Sequence, residues 1–168
     1  MHKKPIMLAA LLIAVSLPAS AQQSPIMGTW KTNQAKTKTP MGTPPTNNTT
    51  TYAPSGTNGM KYTSDRVAAD GTKSHIEFTA NFDGKTYPYK SQGPGAVDRD
   101  GVMIKQLNPY NYQVIYKKGG EPVQINYWIV AKDGKSMTTV STGITTDATT
   151  GKPTADPIYV RLVAADKQ

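Results

Sequence analysis

The stretch Met27-Gly28-Thr29-Trp30-Lys31 decides how the rest of the chain is read. Gly28 allows close approach of another backbone, β-branched Thr29 favours a pleated conformation, and Trp30 supplies a large apolar group. These residues predict a short opening strand, Ile26 to Lys31, with one side chain large enough to anchor a core. The simplest role for Trp30 is to plug that core.

Upstream of this strand the chain has the pattern of a secretory leader. Met1 to Lys4 carries two lysines and a histidine, Ile6 to Leu17 is almost unbroken apolar sequence, and Ala19-Ser20-Ala21 is a small-x-small cleavage signal. The apolar run is too short to span a membrane comfortably, since a spanning helix needs about 20 such residues. Residues 1–21 are therefore expected to be a cleaved signal peptide, residues 22–168 the mature domain, and its destination the periplasm or the medium. No cysteine follows the apolar run, so no lipid anchor is expected.

The full chain has a formal charge of +8, and loss of the two leader lysines leaves about +6. The basic residues sit singly beside turns, as at Lys85, Lys105, Lys132 and Lys135, and are not massed on one face as nucleic-acid binding requires. With no cysteine anywhere, there is no disulfide framework, thiolate metal site or cysteine nucleophile, and stability must come from packing.

From Thr49 onward the pattern is all-β. Beyond the first strand, the expected segments are Thr49–Ala53, Met60–Val67, Ser74–Asn81, Thr86–Lys90, Val102–Leu107, Asn111–Lys117, Pro122–Lys132, Ser136–Ile144 and Asp156–Val163. Five dipeptides between them suit tight turns: Asp70-Gly71, Asp83-Gly84, Asp100-Gly101, Gly119-Gly120 and Asp133-Gly134. Successive strands should then pair antiparallel. Ile76, Phe78, Ala80 and Phe82 share one face, as do Tyr110, Tyr112, Val114 and Tyr116, and so do Val123, Ile125, Tyr127 and Ile129. Trp128 and Val130 fall opposite that last set, which requires either a bulge or a strand covered on both faces. The expected fold is a single antiparallel up-and-down β-barrel of about eight to ten strands.

Residues 32–51 are rich in Thr, Pro, Asn and Lys, and Pro40, Pro44 and Pro45 prevent a helix or a central strand. A connection of this length serves as a lid, a partner-binding arm or simple slack, and slack is the simplest reading.

These features together resemble the lipocalin-like, or calycin, group. The shared elements are Gly28-Thr29-Trp30 on the first strand, a meander of hairpins, and Arg161 late in the last strand. The resemblance implies that Arg161 lies over Trp30 and closes the barrel base, a cation–π contact between the chain ends, with Gly28 part of the same closure. Trp30-Lys31, Asn33, Lys36, Lys38, Thr51-Tyr52 and the repeated Asp-Gly-Lys turns are similar to a family of uncharacterised exported bacterial proteins with a lipocalin-like domain.

Chemistry is sparse. His75 is the sole histidine after cleavage and has only Glu77 near it on the same face, too few ligands for a metal. There is no nucleophile elbow or phosphate-cradling glycine loop, and the only glutamates are Glu77 and Glu121. Neither an enzyme nor a cofactor is expected. The chain has only three arginines, Arg66, Arg99 and Arg161, and Arg99 lies in a turn, so an interior arginine clamp for a carboxylate is not expected. The leading expectation is a binding module that holds a small apolar or amphipathic molecule, lined by Tyr62, Phe78, Tyr112, Tyr116, Tyr127 and Met137. The second is an interaction protein, such as a barrel-shaped inhibitor of a secreted protease, acting through residues 32–51.

Overall fold

The computed structural model describes residues 24–38, 47–146, 153–155 and 161–168. The expected leader, the middle of the 32–51 arm and most of the segment expected as Asp156–Val163 lie outside the described residues. The strands are β1 (Gly28–Thr32), β2 (Asn47–Pro54), β3 (Gly59–Val67), β4 (Lys73–Asn81), β5 (Asp83–Pro88) and β6 (Lys90–Gln92), followed by β7 (Gly101–Asn108), β8 (Asn111–Lys118), β9 (Glu121–Val130), β10 (Ser136–Thr146), β11 (Pro153–Ala155) and β12 (Arg161–Lys167). One 3₁₀ turn, Gln34–Lys36, follows β1.

All pairings are antiparallel, and eleven strands form one sheet in the order β5-β7-β8-β9-β10-β12-β1-β2-β3-β4-β6, with β11 hanging from β10. The sheet curls into a nearly closed barrel. Three of the five turn dipeptides, Asp70-Gly71, Gly119-Gly120 and Asp133-Gly134, join neighbouring strands as expected. Asp83-Gly84 and Asp100-Gly101 do not close hairpins. After β4 the chain crosses to the far edge, where β5 pairs with β7, and then returns so that β6 pairs with β4. The expected strand Thr86–Lys90 is thus broken at Tyr89, whose side chain turns into the core and is 5% exposed. The edges left at this seam carry Asp83, Lys85 and Lys90, charges that discourage pairing with another chain.

Alternation sorts the interior as expected on β4 and β8, where Ile76, Phe78, Ala80 and Phe82, and Tyr112, Val114 and Tyr116, are buried. On β9 the expectation fails. Tyr116 pairs with Gln124 but Lys117 pairs with Pro122, so Val123 has no partner and forms a bulge. One extra residue reverses the phase of everything after it. Trp128 and Val130 therefore point inward, 2% and 3% exposed, while Tyr127 and Ile129 face solvent.

The base of the barrel is closed by a lysine, correcting the assignment to Arg161. Trp30 is 1% exposed and its indole N–H donates to the Ile26 carbonyl at 2.8 Å. Trp30 and Lys167 are paired residues of β1 and β12, and the Lys167 ammonium lies 5.3 Å from the centre of the Trp30 ring. Arg161 is on the same face of β12 but at its other end, about 20 Å away at 3.3 Å per residue. Gly28 lies against the same lysine. Its φ is +128°, and a Cβ there would come within 2.7 Å of the Lys167 side chain.

The arm begins as part of the wall. The Asn33 amide donates to Ala164 O at 2.8 Å and Lys38 forms a bridge with Leu162, so residues 33–38 are strapped to β12.

Replacing Gly28 by Ala forces an L-residue into a glycine conformation against the Lys167 stem. Urea unfolding should show a loss of about 1–3 kcal/mol. Lys167→Ala should lower the melting temperature, whereas Arg161→Ala should not, and the reverse order would restore Arg161 as the closing residue.

Candidate functional site

Read along the barrel axis, the inward side chains change character strand by strand. On β3 they run Met60, Tyr62, Ser64, Arg66; on β9, in the opposite chain direction, Val130, Trp128, Asn126, Gln124. Inward residues of β2 (Tyr52, Thr50, Asn48) and β10 (Met137, Thr139, Ser141) show the same gradient. β2 and β3 are antiparallel neighbours, as are β9 and β10, and β9 runs opposite to β3 across the sheet, so the polar ends coincide. One end of the barrel is an apolar plug containing Ile26, Met27, Met60, Phe82 and Tyr112, and the other is polar.

Between them lies a band of aromatic rings. Tyr62 stacks on Phe78 at 4.5 Å and on Trp128 at 5.9 Å, and Tyr52 meets both Tyr62 and Trp128 edge-on at 5.3 and 5.2 Å. Phe78 continues to Tyr89, and Tyr89 to Tyr116, at 5.8 and 5.6 Å. Such offset and edge-to-face pairs each add about 0.5–1.5 kcal/mol beyond burial, so this band is rigid.

A cavity of about 300 Å³ occupies the polar end, with Trp30, Tyr52, Tyr62, Tyr116, Trp128 and Met137 on its apolar side. All three arginines of the chain, Arg66, Arg99 and Arg161, line it, and among the described residues no Asp or Glu does. Arg99, read from the sequence as a turn residue, thus reaches the same cavity as the other two. Arg66 ends the inward row of β3, Arg161 begins that of β12, and Arg99 is brought in by the Gly93–Asp100 loop, which crosses the end of the barrel. That loop is fixed to the sheet by Gly95 N–H to Lys73 O at 3.1 Å and Asp100 N–H to Lys117 O at 3.0 Å. Gly93 is required where it passes over β4, because a Cβ would sit 2.8 Å from Lys73 O at a φ of +93°.

Arg99 is held in place by its neighbours. Its guanidinium lies 4.4 Å from the Tyr116 ring centre and donates to Gln124 Oε1, whose own amide donates to Asn126 Oδ1 at 2.5 Å. Across the cavity Ser64 Oγ donates to Asn48 Oδ1 at 2.8 Å and lies 3.1 Å from Thr50 Oγ1. Among the described residues, no carboxylate pairs with any of the three arginines; the ion pairs all lie elsewhere, joining Asp166, Glu77, Asp65, Asp83 and Asp98 to other bases.

The six residues expected to line a ligand site divide into four groups. Tyr62, Tyr116 and Met137 border the cavity. Phe78 is buried behind Tyr62 and only supports it. Tyr112 is at the plugged end with its hydroxyl fully engaged, donating to Pro109 O at 3.0 Å and approached by Gln106 Nε2 at 3.2 Å and by Ser24 Oγ. Tyr127, displaced by the Val123 bulge, is 37% exposed on the outer wall, where its hydroxyl accepts from Gln113 Nε2 at 3.1 Å. The residues the sequence reading passed over are Tyr52, Tyr89, Trp128, Gln124, Asn126 and the arginines. A second cavity, about 640 Å³ and more open, lies outside the plug among Ser24, Pro25, Met27, the Pro54–Gly59 turn and the Pro109 turn. Its one ionisable side chain among the described residues is the half-buried phenol of Tyr110. No group of three metal-ligating side chains occurs among the described residues, and no described helix is long and apolar enough to cross a membrane.

No family model, no curated protein and no solved structure matches this chain.

Burial raises the phenols of Tyr52, Tyr62 and Tyr116, the first and last well above their ordinary value, and Tyr89 is pushed up to about 12 for the same reason, with Arg99 opposing. In the unfolded chain these groups ionise near 10. Their contribution to stability is therefore complete below that pH and is lost as pH rises through the folded values. Stability should fall steeply from about pH 10, with tyrosinate absorbance appearing together with loss of the folded signal. Ionisation of these tyrosines ahead of unfolding would contradict their burial.

Proposed function

We propose that this chain is an exported lipocalin-like binding protein that takes up a small amphipathic molecule at the polar end of its barrel. The observation that carries the reading is the cavity's two-sided lining. An aromatic floor offers dispersion and a flat apolar surface, while the rim offers amides, hydroxyls and guanidiniums, the combination that small-molecule sites use to bind and to orient. At about 300 Å³ the cavity is at the lower end of the range for such sites. Its size favours a compact molecule over a long lipid chain. The rigid aromatic band supports the same role, because a preformed floor does not have to be ordered on binding. Export, the cleaved leader and the absence of catalysis belong to this proposal and rest on the sequence pattern described above.

The test is native mass spectrometry on protein purified gently from its own host. The expected result is a 1:1 mass excess of at most a few hundred daltons that disappears on denaturation. Met137→Trp, which fills the cavity, should remove the passenger, while Tyr127→Ala on the outer wall should leave it. A bare mass for the unaltered protein, or a passenger indifferent to Met137→Trp, would overturn the reading.

A further inference from the structure

We infer that the molecule held in the barrel is an anion, with its oxyanion group, such as a carboxylate, bound by Arg66, Arg99 and Arg161 and its apolar body laid on the aromatic band. This rests on the reading of the cavity as a small-molecule site and adds the charge and orientation of its occupant.

Three observations converge. The first is the gathering of every arginine in the chain at one cavity from three separate places, β3, the Gly93–Asp100 loop and β12, with each side chain half-buried. Cations brought together repel one another and lose hydration, and proteins normally offset this with carboxylates. Here none is present among the described residues, although the chain has eleven acidic groups and uses five of them in ion pairs elsewhere. Among the described residues the site thus carries positive charge without a carboxylate to offset it, in a pocket with low-dielectric walls where the field is concentrated.

The second is the way Arg99 is fixed. Stacking on Tyr116 and the bond to Gln124 occupy one face and one N–H of the guanidinium, leaving the rest of its planar fork for an acceptor. Guanidinium forks match oxyanions in two parallel hydrogen bonds, the strongest neutral-pH recognition available to a side chain.

The third is Tyr89. Its ring is buried between Phe78 and Tyr116, it borders the arginine cavity, and its hydroxyl makes no hydrogen bond of ordinary geometry among the described residues, the Arg99 guanidinium being the one donor near enough to act on it. A buried hydroxyl left unpaired is destabilising and is uncommon in folded proteins. Arg66 and Arg99 both act on this phenol electrostatically, so the free O–H is close to the same guanidiniums. An oxyanion bound there would accept from both. Orientation follows from the axial gradient: the charged group faces the arginines and the apolar part faces Tyr62, Trp128 and Met137.

The probes are 2-naphthoate and its neutral counterpart 2-naphthalenemethanol, which share one aromatic body and differ in charge. Binding to the mature protein is followed by calorimetry and by thermal shift. Naphthoate should bind at least about tenfold more tightly than the alcohol, the scale of one charge-assisted hydrogen bond, and should raise the melting temperature. Arg66→Gln and Arg161→Gln should each reduce naphthoate affinity by about tenfold while leaving the alcohol unchanged; neither side chain has a described partner whose loss would unfold the barrel. Tyr89→Phe should weaken naphthoate without lowering the stability of the empty protein, a combination that a purely structural tyrosine would not give. Equal affinity for the two probes, or naphthoate binding indifferent to both arginine variants, would overturn the anion assignment and leave the cavity reading standing. Binding of neither probe would overturn both.

Discussion

Everything in this molecule depends on the five residues of β1. The strand stands between β12 on one side and β2 on the other, and it alone joins the two halves of the sheet, β5-β7-β8-β9-β10-β12 and β2-β3-β4-β6. Without those two ladders there is no barrel, only two open sheets with exposed apolar faces. Sequence and geometry are economical here. Gly28 admits the Lys167 stem, Trp30 fills the closed end, and Thr29 and Lys31 face outward, with Thr29 meeting Thr51 at 3.1 Å. The indole bond to Ile26 O fixes the ring, so that one side chain joins the N-terminal segment, β1 and β12.

Once the sheet closes, alternation settles the interior, and the order of side chains along each strand settles where chemistry can occur. The gradient from Met60 to Arg66 on β3 is repeated in reverse by Val130 to Gln124 on β9. Because the two strands run in opposite directions within the antiparallel sheet, these opposite sequence directions become one spatial direction. The apolar end supplies burial, the aromatic band supplies rigidity, and the polar end holds groups that a packed core would not tolerate. A barrel built only for stability would have no reason to gather three guanidiniums and an unpaired phenol at one end.

Much of this was legible in the sequence. Period-two alternation located the strands, the Asp-Gly and Gly-Gly turns located three hairpins, and Trp30 marked the closure. What was not legible has specific physical causes. Tyr127 was placed inside because alternation was counted from Val123, and a single unpaired residue there reversed the parity; Pro122, which suits a bulge because it has no N–H to give the ladder, was the available clue. Arg161 was placed over Trp30 because the strand was expected to end at Val163, whereas β12 continues to Lys167 and register puts the lysine opposite the tryptophan. Arg99 was set aside as a turn residue, yet a turn that folds across a barrel end is how a side chain far away in sequence reaches a cavity. The crossing of β5 and β6 left no periodic trace, since each segment still alternates locally.

The pairing of Trp30 with Lys167 also places the two ends of the domain side by side in hydrogen-bond register, with Gln168 N–H donating to Thr29 O at 2.9 Å. A ribosome delivers β1 more than a hundred residues before β12. The first strand to emerge therefore waits for the last one, and hairpins such as β2-β3 and β8-β9, which are local, can form long before the ring is joined. The barrel is in this sense a clasp fastened by its final residues. Loss of even a few amino acids after Ala165 would remove more than a frayed tail, because it would leave the earliest strand with one edge permanently open.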